Sequence, residues 1–417
     1  MKRVIQLIFV ITFINVLSSI IVYPQNTDNI EVTKLKDHFY MLTSKVPFEV
    51  NFLAYVTPEG VLLVDSGQRQ TGGEIRSVLK TIAPANPEIK FLINTHAHID
   101  HTGGNLALAG EPIIIGQDLL RSTLRDYSYV LYEFPDNALP SVTFKDSMNL
   151  YFGNEKIRII ATPGSHDATD AIVHFTKSGI VCVGDIFEGL TIPSIDAYTG
   201  NLLNFPRIID KVLSLIPEDV IIVSGHDKIA NVEKLKQSRD IIYYTTKKVK
   251  EEMSKGKDVA EMQREDVLKD WAKFGNGFGG DQNDWIRALA NAGPSKFRGS
   301  IAGELYKVLL KNNADSAIKK YKEFQRDYPT GYPFSAYQLT RTGDWLLGKG
   351  RTDDAVKLFE FSVKAYPKST LGYEELGELY MKVGNKELAI KNFEKLLELD
   401  QGNKNAEEIL MQLRNTK

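Results

Sequence analysis

From about residue 30 to residue 230 the chain alternates short apolar, β-branched runs with Gly, Pro and Asp: "NFLAYVT", "GVLLVDSG", "FLINT", "PIIIG", "KIRIIATPG", "AIVHFT", "GIVCVGD" and "DVIIVSGHD". Runs of this length and composition, bounded by turn formers, predict strands. Several are apolar throughout rather than alternating, which predicts strands covered on both faces. Helical periodicity at Gly73–Ile82 and Phe205–Leu215 supplies the cover. The expectation is an α/β or α+β core over residues 28–240, with sheets sandwiched between helices.

Beyond Val232 the pattern changes to long charged helical segments, "EKLKQSRDIIYYTTKKVKEEMSKG" and "DVAEMQREDVLKDWAKF", followed by the glycine-rich break "FGNGFGGDQNDW". Residues 241–299 therefore read as a helical extension, and residues 300–417 as a separate all-α repeat region. In that last region Leu339, Gly343, Leu346, Gly350, Ala355, Phe359 and Pro367 align with Tyr373, Gly377, Tyr380, Gly384, Ala389, Phe393 and Gln401, each pair 34 residues apart. The period and residue order resemble the tetratricopeptide repeat, in which small residues let two helices touch while large ones fill the hole between neighbouring pairs. A looser copy lies upstream, with Ala317, Tyr321 and Pro329 each 38 residues before Ala355, Phe359 and Pro367. Asn405–Leu413 reads as a capping helix. Leu339 and Tyr373 stand where the repeat usually has Trp, and Gln401 where it has Pro. The repeats imply a protein partner or self-association.

Composition narrows the partners. Lys and Arg total 51 against 53 Asp and Glu, a net charge of −2, which gives no electrostatic reason to bind nucleic acid. One cysteine, Cys182, rules out an intramolecular disulfide framework and a CxxC metal knuckle, so any metal site must be built from His and carboxylates. At the N-terminus Lys2 and Arg3 precede an apolar run from Val4 to Val22, the layout of a secretory signal over residues 1–25. No small-x-small cleavage site follows, so an uncleaved membrane anchor is the alternative. Either way the chain is expected to be exported, periplasmic or extracellular.

The stretch "NTHAHIDHTGGN", residues 94–105, holds three of the chain's seven histidines and an aspartate within six positions just past a strand end. His96 and His98, two residues apart on extended backbone, can face one cation. Asp100 and His101 begin a turn that can address a second, with Gly103 and Gly104 leaving room before a helix starting near Asn105. Four ligand-type side chains so close together have little structural purpose without a cation. Three further strand exits carry candidates: His166 after "RIIATPG", Asp185 after "GIVCVG" and His226 after "DVIIVSG". His38, a turn residue, and His174, a strand residue expected to be satisfied by a neighbour, stay outside the site.

In this order the motifs resemble those of the metallo-β-lactamase superfamily of hydrolases, over roughly residues 30–230. The resemblance implies an αββα sandwich with two zinc ions at one edge. His96, His98 and His166 would bind the first zinc, Asp100, His101 and His226 the second, and Asp185 would bridge them. Asp65, in "GVLLVDSG", would support the site without ligating. The implied chemistry is hydrolysis: two cations sharing a water lower its pKa from 15.7 to about 7, and Asp100 serves as the catalytic acid–base. Phe187, Glu188 and Gly189 follow Asp185 where one lactamase subclass has a Cys ligand and then a Lys, and Cys182 reads as buried filler inside its strand. The bond is thus expected to be a carbonyl ester, thioester, lactone or amide of a small molecule, with β-lactam hydrolysis of the Cys-lacking type as the alternative. A reading of another class makes the repeats the working part and the metal domain vestigial. Arg121–Pro140, with Tyr127, Tyr129, Tyr132 and Phe134, and "EGLTIPSIDAYTGN" after Asp185 are the expected specificity loops, with Tyr198 as a candidate oxyanion donor.

Overall fold

The computed structural model describes residues 29–125, 134–196, 199–271, 280–292 and 300–415. The leader of residues 1–25, the tyrosines Tyr127, Tyr129 and Tyr132, Tyr198, and the first half of the glycine-rich break lie outside the described residues. Among the described residues no helix is long and apolar enough to cross a membrane.

The apolar runs form two sheets. The first contains β1 (Ile30–Lys36), β2 (Phe39–Ser44), β3 (Val50–Thr57), β4 (Gly60–Val64), β5 (Ile89–Ile93), β6 (Ile113–Gln117) and β7 (Val142–Phe144), side by side in chain order. Its first four strands pair antiparallel, and β4 to β7 run parallel. The second contains β8 (Ser147–Phe152), β9 (Glu155–Ala161), β10 (Ala171–Phe175), β11 (Ile180–Gly184) and β12 (Ile221–Ser224), in the order β12-β11-β10-β9-β8. Only β11 and β12 pair parallel.

Side chains alternate across each strand, so every buried strand feeds two cores. Leu53, Leu62, Val173, Phe175 and Cys182 meet between the sheets. Phe52, Ala54, Val61 and Leu63 turn to the outer face and pack on α1 (Ile75–Ile82). Full burial of a Leu or Phe of this kind stabilises by about 1.5–3 kcal/mol. The one-turn helix α2 (Ile99–Thr102) and α3 (Asp118–Arg125) cover the parallel edge, and α4 (Phe205–Leu215) covers the second sheet.

The same outer core continues into α5 (Val232–Ser254), α6 (Val259–Arg264) and α7 (Gln282–Ala290): Leu235, Ile242, Met262 and Trp285 share one apolar cluster with Val181, Phe205 and Ile209. The buried Trp285 donates its indole N–H to Thr245 Oγ1 at 3.1 Å, which satisfies the polar atom and fixes α7 on α5. A helical region follows: α8 (Ile301–Leu309), α9 (Ala314–Asp327), α10 (Ala336–Gly348), α11 (Thr352–Ala365), α12 (Leu371–Lys382), α13 (Lys386–Leu399) and α14 (Lys404–Asn415). Successive helices pack in pairs and each pair packs on the next, around a core of Leu305, Tyr321, Leu339, Phe359 and Leu376.

Three expectations change. Helical turns begin at Ile99 and close in a 3-10 turn at Gly103–Leu106, so no helix starts near Asn105. That residue is committed elsewhere: its side chain accepts from Ser66 Oγ at 2.7 Å and donates to Asn94 Oδ1 at 2.8 Å. His174 lies in β10 but is not satisfied, since both ring nitrogens are buried without a hydrogen-bond partner, and burial lowers its pKa. Arg121–Arg125, expected in a loop, form the second half of α3.

Gly343 in α10 and Gly377 in α12 each face a phenylalanine, Phe359 and Phe393, and a methyl at either position would overlap the ring. Gly343→Ala is expected to cost about 1–3 kcal/mol through overpacking, read as an earlier urea transition of the helical region.

Candidate functional site

Every candidate side chain leaves the end of a strand on one edge of the sandwich. Chain reversal just after β4 puts Asp65 in a left-handed conformation, φ 62°, and turns its carboxylate under the histidine loop. Asp65 Oδ1 accepts the Thr95 N–H at 2.7 Å, and Oδ2 accepts the Thr95 hydroxyl at 2.7 Å. The same Oδ2 lies 2.9 Å from His101 Nδ1. One buried carboxylate thereby sets the backbone of the loop and the orientation of one imidazole.

All seven expected residues converge into two groups. His96, His98, His166 and Asp185 each offer one ligand atom within 4.8 Å of the others, and so do Asp100, His101, Asp185 and His226. Asp185 belongs to both. Its Oδ2 lies 3.4 Å from His96 Nε2, 3.5 Å from His166 Nε2 and 3.2 Å from His226 Nε2, while Oδ1 lies 3.2 Å from His101 Nε2. His98 Nδ1 sits 2.9 Å from His166 Nε2. On the second side Asp100 Oδ2 is 3.2 Å from His226 Nε2 and 3.6 Å from His101 Nε2.

These spacings suit a cation. Ligands about 2.0–2.2 Å from a tetrahedral ion lie about 3.3–3.6 Å from one another. The outward nitrogens are already engaged: His96 Nδ1 is 3.1 Å from Thr95 Oγ1, His166 Nδ1 3.2 Å from the Ser194 carbonyl, and His226 Nδ1 2.8 Å from the Glu49 carbonyl. His98 Nε2 is 3.6 Å from Asp196 Oδ2. Imidazoles held from behind in this way present their second nitrogen forward as a donor. His96 Nε2 and Asp185 Oδ1 are buried with no hydrogen-bond partner, and such orphaned atoms are what a bound cation would satisfy. Nitrogen and carboxylate donors without sulfur accept zinc and several other first-row ions.

Glycines make the approach possible. Gly225, between β12 and His226, lies against Asp185 so closely that a methyl there would overlap the carboxylate. Gly184, at φ 53°, takes the left-handed turn that aims Asp185 inward, and a side chain there would meet Thr95 Oγ1 at 2.8 Å. The site opens at His98 and Asp100, whose side chains are 26% and 15% exposed, while those of His96, His101, His166 and Asp185 are 2% exposed or less. Among the described residues, the donors are reached from solvent on the His98–Asp100 side.

Without a cation the imidazoles and carboxylates hold protons against one another. Burial lowers His96 and His166, assisted by neighbouring imidazoles. Burial also opposes charge on His98, yet Asp196 and Asp167 carry it up to about 9. His226 rises to about 11 against the same burial, through Asp185 and Asp100. Asp185 falls well below the carboxylate range despite burial, because His101, His226 and His96 surround it. Burial and then Asp185 push Glu188 up to about 7.

Several supporting residues escape sequence reasoning. Ser194, Asp196 and the Glu49 carbonyl act only because loops distant in the chain return to the histidines, while Thr95 adjoins His96 and takes its role from the Asp65 carboxylate beneath it. Glu188 carried a signal, a carboxylate directly after the buried pair Ile186 and Phe187, but its direction could not be read. Cys182 is buried between the sheets, and burial raises its thiol pKa.

Residues 46–226 match the family model described as the metallo-beta-lactamase superfamily. The chain is 26% identical over 141 residues to a hydroxyacylglutathione hydrolase of Brucella anthropi, covering 33% of this chain and 48% of the relative. It is 25% identical over 149 residues to an N-acyl homoserine lactonase of Bacillus cereus, covering 30% of this chain and 58% of the relative. The chain thus spans about half the length of these relatives. A solved metallo-beta-lactamase from Pontibacter korlensis is similar at 21% identity, with 51% of this chain and 99% of that chain covered and a TM-score of 0.44.

Two outcomes follow. Because neighbouring carboxylates hold His98 and His226 above the ordinary imidazole range, cation loading is expected to release protons and to weaken as pH falls. Calorimetric zinc titration in buffers of different ionisation enthalpy should show that release, with affinity rising from pH 6 to pH 9. Gly225→Ala should remove bound metal, measured by atomic emission, while the circular dichroism spectrum stays native.

Proposed function

Because residues 46–226 carry a metallo-beta-lactamase superfamily domain, we propose that this chain is a dizinc hydrolase of a small-molecule ester, thioester, lactone or amide. The observation that carries the reading is Asp185, a single carboxylate shared by two converging donor sets. His96, His98 and His166 would hold one ion, Asp100, His101 and His226 the other, and Asp185 both. When bound, the two cations supply Lewis acidity for the carbonyl and an acidified water at neutral pH.

The chain's own groups supply the rest. Asp100, at the open side of the site, is placed to orient the water and to carry a proton at Oδ1 or Oδ2 to the leaving group. Asp65 fixes His101 and, through Thr95, His96, so the donors are set before substrate arrives. Burial of the donor atoms excludes bulk water from all but the His98–Asp100 side. The named activities of the two relatives support a thioester or lactone substrate. Hydrolysis of β-lactams by a site without a Cys ligand is the second reading, supported by two donor sets that hold no cysteine.

We propose further that residues 300–417 are tetratricopeptide-type repeats that bind a protein partner or a second copy. The Gly343–Phe359 contact recurs as Gly377–Phe393, 34 residues on, which supports one packing unit used twice. Lys2, Arg3 and the apolar run from Val4 to Val22 support export of the chain.

Purified protein should contain two zinc ions per chain and turn over at least one member of a panel of chromogenic thioesters, lactones, esters and β-lactams. Asp185→Ala and His96→Ala should each lower kcat/KM by about 10³-fold, ~4 kcal/mol of transition-state stabilisation. Full activity in Asp185→Ala would overturn the reading.

A further inference from the structure

We propose that Glu188 is a positioning residue for the first donor set, acting on His166 through Ser194; this inference rests on the metal-binding reading above. After Asp185 the chain reverses at Gly189, φ 89°, and returns to the site at Ser194–Asp196. Glu188 lies beneath that return, with its side chain 1% exposed. Its Oε2 accepts the Ser194 N–H at 2.9 Å, and its Oε1 accepts the Ser194 hydroxyl. Both carboxylate oxygens thus engage Ser194, and Oε1 also lies 3.8 Å from His166 Nδ1 itself.

Ser194 in turn faces His166. Its carbonyl lies 3.2 Å from His166 Nδ1, and its hydroxyl oxygen 3.4 Å from the same nitrogen. A proton held on Nδ1 by these acceptors leaves the lone pair on Nε2, the atom that faces Asp185 and His98. Glu188 therefore stands two hydrogen bonds behind a metal-donor atom, and it decides the tautomer and tilt of that imidazole by fixing where the Ser194 carbonyl sits.

Packing alone does not call for a carboxylate here. Ile186, Phe187 and Ile192 around it belong to an apolar cluster, and a second acid near Asp185 adds like-charge repulsion. What the carboxylate returns is a fixed loop over the first donor set. The second set is held independently, His101 by Asp65 and His226 by the Glu49 carbonyl. Loss of Glu188 should consequently weaken one ion and spare the other.

The test is a zinc titration of the full chain against a competing chelator, with stoichiometry from native mass spectrometry and histidine tautomers from ¹⁵N spectra. Glu188→Ala should raise the dissociation constant of one ion by about 10–100-fold, leave the other unchanged, and lose the Nδ1–H signature of one histidine. Glu188→Gln should stay within about threefold of wild type, because the amide oxygen can accept the Ser194 N–H and the amide N–H can donate to the Ser194 hydroxyl. Should Glu188→Ala fail to fold, Ser194→Ala, which deletes only the hydroxyl contact, should weaken the same ion about 2–5-fold. Unchanged binding in Glu188→Ala or in that substitute, equal weakening of both ions, or a Glu188→Gln as weak as the alanine variant would each overturn the inference. A wild-type chain that binds no zinc would instead overturn the hydrolase reading along with it.

Discussion

The structure turns on one buried carboxylate. Asp185 is 2% exposed and has imidazole nitrogens of His96, His101, His166 and His226 within 3.5 Å. A charge in so dry a place is costly unless it is compensated. Compensation comes either from protons on the surrounding rings or from cations between them. The raised pKa values of His101 and His226, both held up by Asp185, describe the first state, and the orphaned atoms His96 Nε2 and Asp185 Oδ1 point to the second.

That arrangement needs three chain reversals to meet within a few ångström, and the sandwich supplies them. Parallel pairing of β4 with β5 and of β11 with β12 puts the exits of all four strands on one edge. Asp65, the histidine loop, Asp185 and His226 leave from those exits. Left-handed backbone at Asp65 and Gly184, and the missing side chain at Gly225, then allow the loops to close on one another. The cost of such backbone is met by the rigid double core beneath, where each buried strand packs on both faces.

Support from behind differs between the two donor sets. The second relies on Asp65 and on a main-chain carbonyl, both close to strand ends and fixed by sheet pairing. The first shares Asp65 at His96, through Thr95, but for His98 and His166 relies on the loop from Glu188 to Asp196, which leaves the sheet and returns. Its precision has to be made by side chains, and this is why a carboxylate pinned to Ser194 is found on that side and not on the other.

Much of this was legible in the chain. The eight apolar runs are all strands, because continuous β-branched residues bounded by Gly and Asp have few other ways to be buried. Phe205–Leu215 is a helix with those bounds, and the seven candidate donors meet because each directly follows a strand whose end is written in the sequence. Edge strands β1 and β8, whose alternating positions face solvent, gave too weak an apolar pattern to read. His174 looked satisfiable because sequence shows a polar side chain but not what stands opposite it. The joining of α5, α6 and α7 to the core of the second sheet, and the roles of Thr95, Ser194, Asp196 and Glu188, were decided only by tertiary structure. Local sequence fixes where a strand ends and which donor follows it; which loop comes back to stand behind that donor depends on contacts between segments up to 177 residues apart, such as His226 and Glu49, that no local pattern encodes.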